Sequence, residues 1–334
     1  MKLGMVGLGR MGLNMTRRLL RNGHRVVVFN KSKDRVKEAV KSGAVAASSL
    51  RDLVKKLSRP RVVWFMLPAG TVTDDCIEKL VYVMSKGDII VEGGNSYYKD
   101  DIRRAAELKK EGIHYIDAGV SGGVWGLKNG YCIMAGGEKK VFKQIEPAVK
   151  TLAPKNGYLY CGATGAGHFV KMIHNAIEYA MMESYAEGFQ ILKASKYGSG
   201  LSLENVASMW NNGSVIRSWL LELLIESFRE DPELKKIQGY VEDSGEARFT
   251  VKEAVDSGVA ADVIAASLFK RFNSRQEDVF ANRVLAALRN KFGGHAVARA
   301  GAKARVKGVS AGSVTHAAPD KKRKAGRPNG CNIE

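Results

Sequence analysis

Lys171, His174, Asn175 and Glu178 lie together in residues 165–178, GAGHFVKMIHNAIE. In a helix these positions, i, i+3, i+4 and i+7, share an arc of roughly 100° on one face. The neighbours Phe169, Val170, Met172, Ile173, Ala176 and Ile177 are apolar enough that the helix must be largely packed. Such a stripe reads in two ways. It is a solvated polar face with a charge pair two turns apart, or it is a base and an acid held beside a substrate.

The elements that would bring a substrate to that stripe begin at the other end of the chain. Residues 2–8, KLGMVGL, form an apolar run entering Gly7-Leu8-Gly9-Arg10-Met11-Gly12, followed by an amphipathic stretch through Leu20 and a second run from Arg25 to Phe29. Strand, glycine turn, helix and strand in this order predict a Rossmann-type dinucleotide site. Gly7 permits the turn, Gly9 lets a pyrophosphate approach backbone N–H groups, and Gly12 lets helix and strand pack closely. An acid after the second strand would bind the ribose 2′-hydroxyl of NAD. Here Asn30-Lys31-Ser32 stands instead, and Lys31 and Ser32 suit a 2′-phosphate, so NADP is the expected cofactor, with NAD possible. The alternative is that the following Lys33 and Arg35 decorate an exposed helix start.

Further apolar runs at 61–67, 88–92 and 114–118 end in Pro68-Ala69-Gly70, Gly94-Asn95-Ser96 and Ser121-Gly122-Gly123. In a parallel sheet these loops fall on the cofactor side, which adds Leu67, Pro68, Ala69 and Asn95 to the expected cofactor contacts. Runs at 131–135 and 158–161 read as the last strands. From Gly165 the period becomes helical, with segments near 168–195, 202–230, 251–256, 260–272 and 274–292. The expected fold class is α/β, a Rossmann-type dinucleotide-binding domain over 1–164 followed by an all-α C-terminal domain over 165–298. Residues 299–334, rich in Gly, Ala, Lys and Arg, are expected to be a disordered basic tail.

The chain of 334 residues carries a net charge of +19, and the tail holds nine Lys or Arg against Asp320 and Glu334. A basic body suits polyanionic ligands. Cys76, Cys132, Cys161 and Cys331 form no C-x-x-C pair, which fits a cytoplasmic protein with no metal site. The apolar runs are too short for a membrane span, and Met1 to Leu8 is taken up by the first strand, so no signal peptide is expected.

Together these motifs resemble the 6-phosphogluconate dehydrogenase family, in its shorter form with an unduplicated helical domain, from Met1 to about Val297. Lys171, His174, Asn175 and Glu178-Tyr179 match its catalytic helix. Ser121-Gly122-Gly123-Val124-Trp125-Gly126 and Gly130-Tyr131-Cys132 resemble its gluconate and nicotinamide loop. Arg248-Phe249-Thr250, Phe269-Lys270-Arg271 and Arg289-Asn290-Lys291-Phe292-Gly293-Gly294-His295 resemble its phosphate-binding segments. The last of these reaches a neighbouring subunit's site in the family, which implies a homodimer or tetramer. The resemblance implies Lys171 and Glu178 as catalytic residues. As substrate contacts it implies Asn95, Ser121, Gly122, Gly123, His174, Asn175, Tyr179, Arg248, Thr250, Arg271, Arg289 and His295.

The implied reaction is oxidative decarboxylation of 6-phosphogluconate to ribulose 5-phosphate and CO2. A neutral Lys171 takes the hydroxyl proton, which requires a pKa drawn down by burial and nearby positive charge. Glu178 then protonates the enediol. Ala176 and Ala180 depart from glycines common in the family helix, and Glu183 from a frequent Gln; Asn30 replaces the Asp of many short-form members. Two rivals remain: another β-hydroxyacid dehydrogenase, such as one acting on hydroxyisobutyrate, and an inactive NADP-sensing or nucleic-acid-binding protein suggested by Lys321–Lys324. The intact Lys171–Glu178 set disfavours nucleic acid as a partner.

Overall fold

A computed structural model describes residues 1–298. The expectations for residues 299–334, including the basic run and Cys331, lie outside the described residues. Among the described residues there are eight strands: β1 (Lys2–Val6), β2 (Arg25–Phe29), β3 (Val45–Ala46), β4 (Val62–Phe65), β5 (Ile89–Glu92), β6 (His114–Ser121), β7 (Cys132–Gly137) and β8 (Tyr158–Gly162). They form one sheet in the order β3-β2-β1-β4-β5-β6-β7-β8. All neighbours run parallel except β6 and β7.

The helices between them are α1 (Arg10–Arg21), α2 (Lys33–Lys41), α3 (Leu50–Lys55), α4 (Thr71–Val81), α5 (Tyr98–Lys110), α6 (Gly126–Asn129) and α7 (Lys139–Leu152). After β8 come α8 (Ala166–Ala194), α9 (Leu203–Asn211), α10 (Trp219–Glu230), α11 (Glu246–Asp256), α12 (Asp262–Asn273) and α13 (Phe280–Gly293).

Continuous apolar strands follow from helices covering both sheet faces. Leu3 and Met5 of β1 join Val26, Val28, Trp64 and Ile89 on one face, while Val6, Val27, Val63, Phe65 and Ile90 pack on the other. Each such side chain withdraws apolar surface worth about 1.5–3 kcal/mol. Because β1 lies between β2 and β4, the strand order reverses there, and a crevice opens above the carboxyl ends of β1 and β4. The glycine turn sits at that crevice.

The sheet ends at Gly162, and only helices follow. Helix α8, 29 residues long, packs along β6 and β7 at its start, so sheet and helices form one compact unit through Gln276. Further along, Phe189 of α8 meets Ala207 of α9 and Leu221, Ile225 and Phe228 of α10. Ala176 and Tyr179 pack on Ala247 of α11 and Leu268 of α12, so the alanine at 176 fills a fully closed position. The segment expected as one helix over 202–230 is two. Residues 212–218 break it, Gly213 taking φ +93, and Ser218 restarts α10 by accepting the Leu221 N–H at 3.0 Å. The second unit begins at Glu277; its described helix, α13, ends at Gly294 in the left-handed region, as a C-terminal glycine does. No helix among the described residues is long and apolar enough to cross a membrane.

Candidate active site

The dinucleotide end is built by backbone. Gly9 precedes α1 without offering a side-chain cap, so the first N–H groups of the helix keep room for an anion. A Cβ on Gly9 would meet nothing within 4 Å, which leaves the approach open. Gly7 takes φ +93, and a Cβ on Gly12 would stand 2.1 Å from the Gly7 carbonyl oxygen. This cradle fits the pyrophosphate of a dinucleotide. Asn30 locks it: its Oδ1 accepts the Leu8 N–H at 2.8 Å, and its Nδ2 donates to the Ser32 carbonyl at 3.2 Å. Arg10, Lys31 and Ser32 are exposed, and the Ser32 hydroxyl makes no cap bond to α2. Leu67, Pro68 and Ala69 follow β4 on the same side.

The stripe on α8 faces a cleft of about 990 Å³ lined also by Met11, Asn95 and Ser121 to Trp125. Lys171 is buried and donates to Asn175 Oδ1. That oxygen also lies 3.1 Å from His174 Nδ1, while Asn175 Nδ2 donates to Glu246 Oε1 at 2.8 Å. The amide is thus oriented by a cation on one side and a carboxylate on the other. His174 Nε2 lies 3.4 Å from Ser121 Oγ, and Nδ1 lies 3.8 Å from Glu178 Oε2. With Nδ1 protonated, His174 donates to Asn175 and accepts from Ser121.

Burial pushes the Lys171 amine below the ordinary lysine value, against the opposing pull of Glu178 and Glu246. The second expected cause, a nearby positive charge, is absent from the groups that act on it among the described residues. The surroundings are acidic, and desolvation alone lowers the pKa.

Two positions unremarked in the sequence make this possible. Gly119 of β6 lies under the lysine stem, and a Cβ there would stand 2.4 Å from Lys171 Cβ. Gly119→Ala is expected to displace Lys171 and lower kcat about 100-fold with little change in dinucleotide affinity, measured by steady-state kinetics and fluorescence titration. Glu246, which fixes Asn175, is 71 residues away in the chain, and its only sequence signal is its place just before Arg248-Phe249-Thr250. The cleft's apolar wall from α10, Trp219, Leu220 and Leu223, was equally unsignalled.

The remaining expected contacts separate into groups. Asn95, at φ +58, lines the cleft, but its amide is paired with the Val120 backbone, accepting at 3.0 Å and donating at 3.3 Å. Gly122 and Gly123 both take positive φ, opening the loop after β6. Arg271 lies 3.5 Å over the Tyr179 ring, whose hydroxyl accepts the Ser244 N–H at 2.8 Å. Arg248 chelates Asp243 at 2.6 and 2.8 Å, and Arg275 reaches the same carboxylate at 2.9 Å. Arg248 first, then Arg275, holds the Asp243 carboxyl down at about 2. Two arginines share this one carboxylate, and Arg271 beside them donates to the Glu242 carbonyl at 2.8 Å; Arg275 had no distinguishing signal in the sequence. Thr250 is buried and donates to the Met172 and Glu246 carbonyls, so its hydroxyl ties α11 to α8 and does not line the cleft. Arg289 and His295 are exposed in the second unit.

A dinucleotide cradle at the switch point of a parallel sheet, beside a desolvated lysine on a helix, is the apparatus of an NAD(P)-dependent oxidoreductase. Residues 2–162 match the NAD binding domain of 6-phosphogluconate dehydrogenase, and residues 167–304 match the 6-phosphogluconate dehydrogenase C-terminal domain. The chain belongs to the 6-phosphogluconate dehydrogenase family. It is 45% identical over 296 residues to the putative 6-phosphogluconate dehydrogenase YqeC of Bacillus subtilis (strain 168), covering 89% of this chain and 99% of that one. It is 41% identical over 301 residues to the NAD(+)-dependent, decarboxylating 6-phosphogluconate dehydrogenase of Haloferax volcanii, covering 90% and 99%. Among solved structures, 6-phosphogluconate dehydrogenase of Plasmodium falciparum superposes with a TM-score of 0.76 at 26% identity, over 91% of this chain and 67% of that one. A 3-hydroxyisobutyrate dehydrogenase of Mycobacterium tuberculosis shares the fold, with a TM-score of 0.66 at 21% identity over 86% and 99%.

Proposed function

We propose that the protein oxidatively decarboxylates 6-phospho-D-gluconate to D-ribulose 5-phosphate with NADP, as a step of the pentose phosphate route in the cytoplasm. The observation that carries this reading is the buried Lys171 beside Glu178 on one cleft wall, with Arg248 and Arg271 nearby on α11 and α12 for a phosphate. Gly7, Gly9 and Gly12 would hold the pyrophosphate, and Lys31 and Ser32 the 2′-phosphate. When bound there, NADP would supply a hydride acceptor for carbon 3 of the substrate.

Lys171, neutral because it is desolvated, takes the proton of the carbon-3 hydroxyl as that carbon is oxidised. The β-keto acid then breaks its bond between carbons 1 and 2. CO2 leaves, and the electron pair moves toward the carbonyl, whose oxygen regains the proton from Lys171. Glu178 protonates the former carbon 2 while Lys171 takes back the carbon-3 hydroxyl proton, and the enediol becomes the ketone. His174, Asn175, Asn95 and Ser121 hold the hydroxyl and carboxylate in line. Glu246, by fixing Asn175, keeps the Lys171 amine aimed into the cleft. Arg289 on α13 and His295 just after it would complete the phosphate site of a second subunit in a homodimer or tetramer.

Reduced-nicotinamide absorbance with 6-phosphogluconate, NADP and NAD in parallel, and 3-hydroxyisobutyrate as control tests this directly. Turnover on 6-phosphogluconate alone is expected, faster with NADP. Turnover on hydroxyisobutyrate alone would overturn the substrate. The cofactor choice has its own test, since Asn30 touches the glycine turn. Asn30→Asp keeps an acceptor for the Leu8 N–H and adds a charge that repels a 2′-phosphate. The ratio of kcat/KM for NADP over NAD is expected to fall about tenfold or more; an unchanged ratio would remove Asn30 from cofactor selection.

A further inference from the structure

One buried cluster takes no part in the chemistry above. His168 stands one turn before Lys171 on α8 and is almost wholly enclosed. Its Nδ1 lies 2.7 Å from Asp101 Oδ2 of α5 and 3.6 Å from Glu92 Oε2 at the end of β5. Asp117 of β6 accepts the backbone N–H groups of Gly165 at 2.7 Å and His168 at 3.0 Å, and so caps the first turn of α8 from another element. Tyr115 of β6 donates to Asp101 Oδ1 at 2.7 Å, and Arg104 of α5 stands 3.9 Å from the same oxygen. Glu92 Oε1 accepts the Gly94 N–H at 2.6 Å, beside the Asn95 that lines the cleft.

The carboxyl groups of Asp101, Glu92 and Asp117 surround the imidazole and favour its protonated form. Burial opposes its charge, yet Asp101, then Glu92 and Asp117, carry the His168 pKa up to about 9. Two buried atoms of the cluster, His168 Nε2 and Glu92 Oε2, have no hydrogen-bond partner among the described residues. A core filled for packing alone would not retain such costly groups. What the cluster does join is specific: α5, the end of β5, the first half of β6, and the turn of α8 that leads to the proposed catalytic lysine. With the Lys171 stem already tight on Gly119, a small slip of that turn moves the amine.

We propose that the His168–Asp101 ion pair is a positioning unit, which anchors the first turn of α8 to α5 and β5 and so sets where Lys171 stands in the cleft. This rests on the reading of Lys171 as the base. His168 touches neither substrate nor cofactor in this account.

The test compares His168→Gln, Asp101→Asn and the double substitution in the full chain, with Lys171→Met alongside. The groups facing Lys171, which are Glu178 on its own helix, Glu246 of α11 and Cys132 of β7, are untouched by these changes. For His168→Gln, kcat is expected to fall at least about 30-fold, with KM and dinucleotide Kd within about threefold. The acid limb of the kcat–pH profile moves to higher pH, because a displaced, hydrated Lys171 regains its proton more readily. The double variant, which removes the Asp101 carboxylate together with the imidazole it faces, costs less than the two single effects multiplied together, and it supplies the same readouts if His168→Gln does not fold. In the wild-type protein, 15N resonances should show both His168 ring nitrogens protonated at pH 7.5.

Variants with a lower Tm but unchanged kcat and acid limb would overturn the proposal, as would a neutral His168 ring. Stoichiometric divalent metal in the purified protein, with activity lost on chelation, would assign Glu92, Asp101 and His168 to a cation instead. Turnover retained by Lys171→Met fails the base reading. Turnover lost there, with the His168 variants unaffected, fails the positioning role alone.

Discussion

Lys171→Met is expected to lower turnover of 6-phosphogluconate about 1000-fold or more while the dinucleotide binds as before. Methionine keeps the unbranched stem that passes over Gly119, so the packing of α8 on β6 survives. What it removes is the proposed proton acceptor, a contribution of about 100- to 10 000-fold in general acid–base catalysis. It also leaves Asn175 Oδ1 with His174 as its remaining donor, which weakens the line from Glu246 to the substrate. The same residue sets the sign of the pH dependence. With Lys171 as the proposed base, only its neutral form takes a proton, so kcat is expected to fall as pH drops through its pKa. Burial lowers that pKa, placing the acid limb below the ordinary lysine value. A kcat–pH profile with its limb at an unperturbed lysine value would contradict a desolvated base.

Gly12→Val is expected to weaken NADP binding at least about 100-fold in fluorescence titration. The first atom of the new side chain would stand 2.1 Å from the Gly7 carbonyl oxygen and 3.1 Å from Met66 Cβ. Backbone cannot rotate away as a side chain can, so α1 must retreat from β1 or the turn must open. Either movement misaligns the N–H groups that would hold the pyrophosphate, and hydrogen bonds to a charged group contribute about 1.5–3 kcal/mol each. Undiminished NADP affinity in a folded Gly12→Val protein would show that the turn is not the pyrophosphate cradle.

The features legible in the sequence were those that local order writes. The first strand, glycine turn and second strand are contiguous, and β2 falls at Arg25–Phe29 as its apolar run indicates. The stripe from Lys171 to Glu178 follows from helical period alone. Contacts made across the fold were not legible. Two residues of β3, Val45–Ala46, carry too little pattern to register as a strand. The pause between α9 and α10 hides in an Asn-Asn-Gly turn flanked by apolar residues that keep helical spacing. His168 lies on the same stripe as Lys171, but nothing in the chain order tells that Asp101 and Glu92 close around it. Arg248 and Arg271 were legible only through family resemblance; that Arg275 shares Asp243 with Arg248 is a fact of three-dimensional packing. The environment of Lys171 was half legible: apolar neighbours foretold burial and Glu178 stands on its own helix, whereas Glu246 reaches it from α11.

The central claim is that one lysine on this helix couples oxidation to loss of CO2. The most direct measurement is the CO2 released per NADPH formed from 6-phosphogluconate labelled at carbon 1, in wild type and Lys171→Met. One labelled CO2 per NADPH in the wild type, with both falling together in the variant, is the expected result. NADPH formed without labelled CO2, or a variant that keeps both, would contradict it.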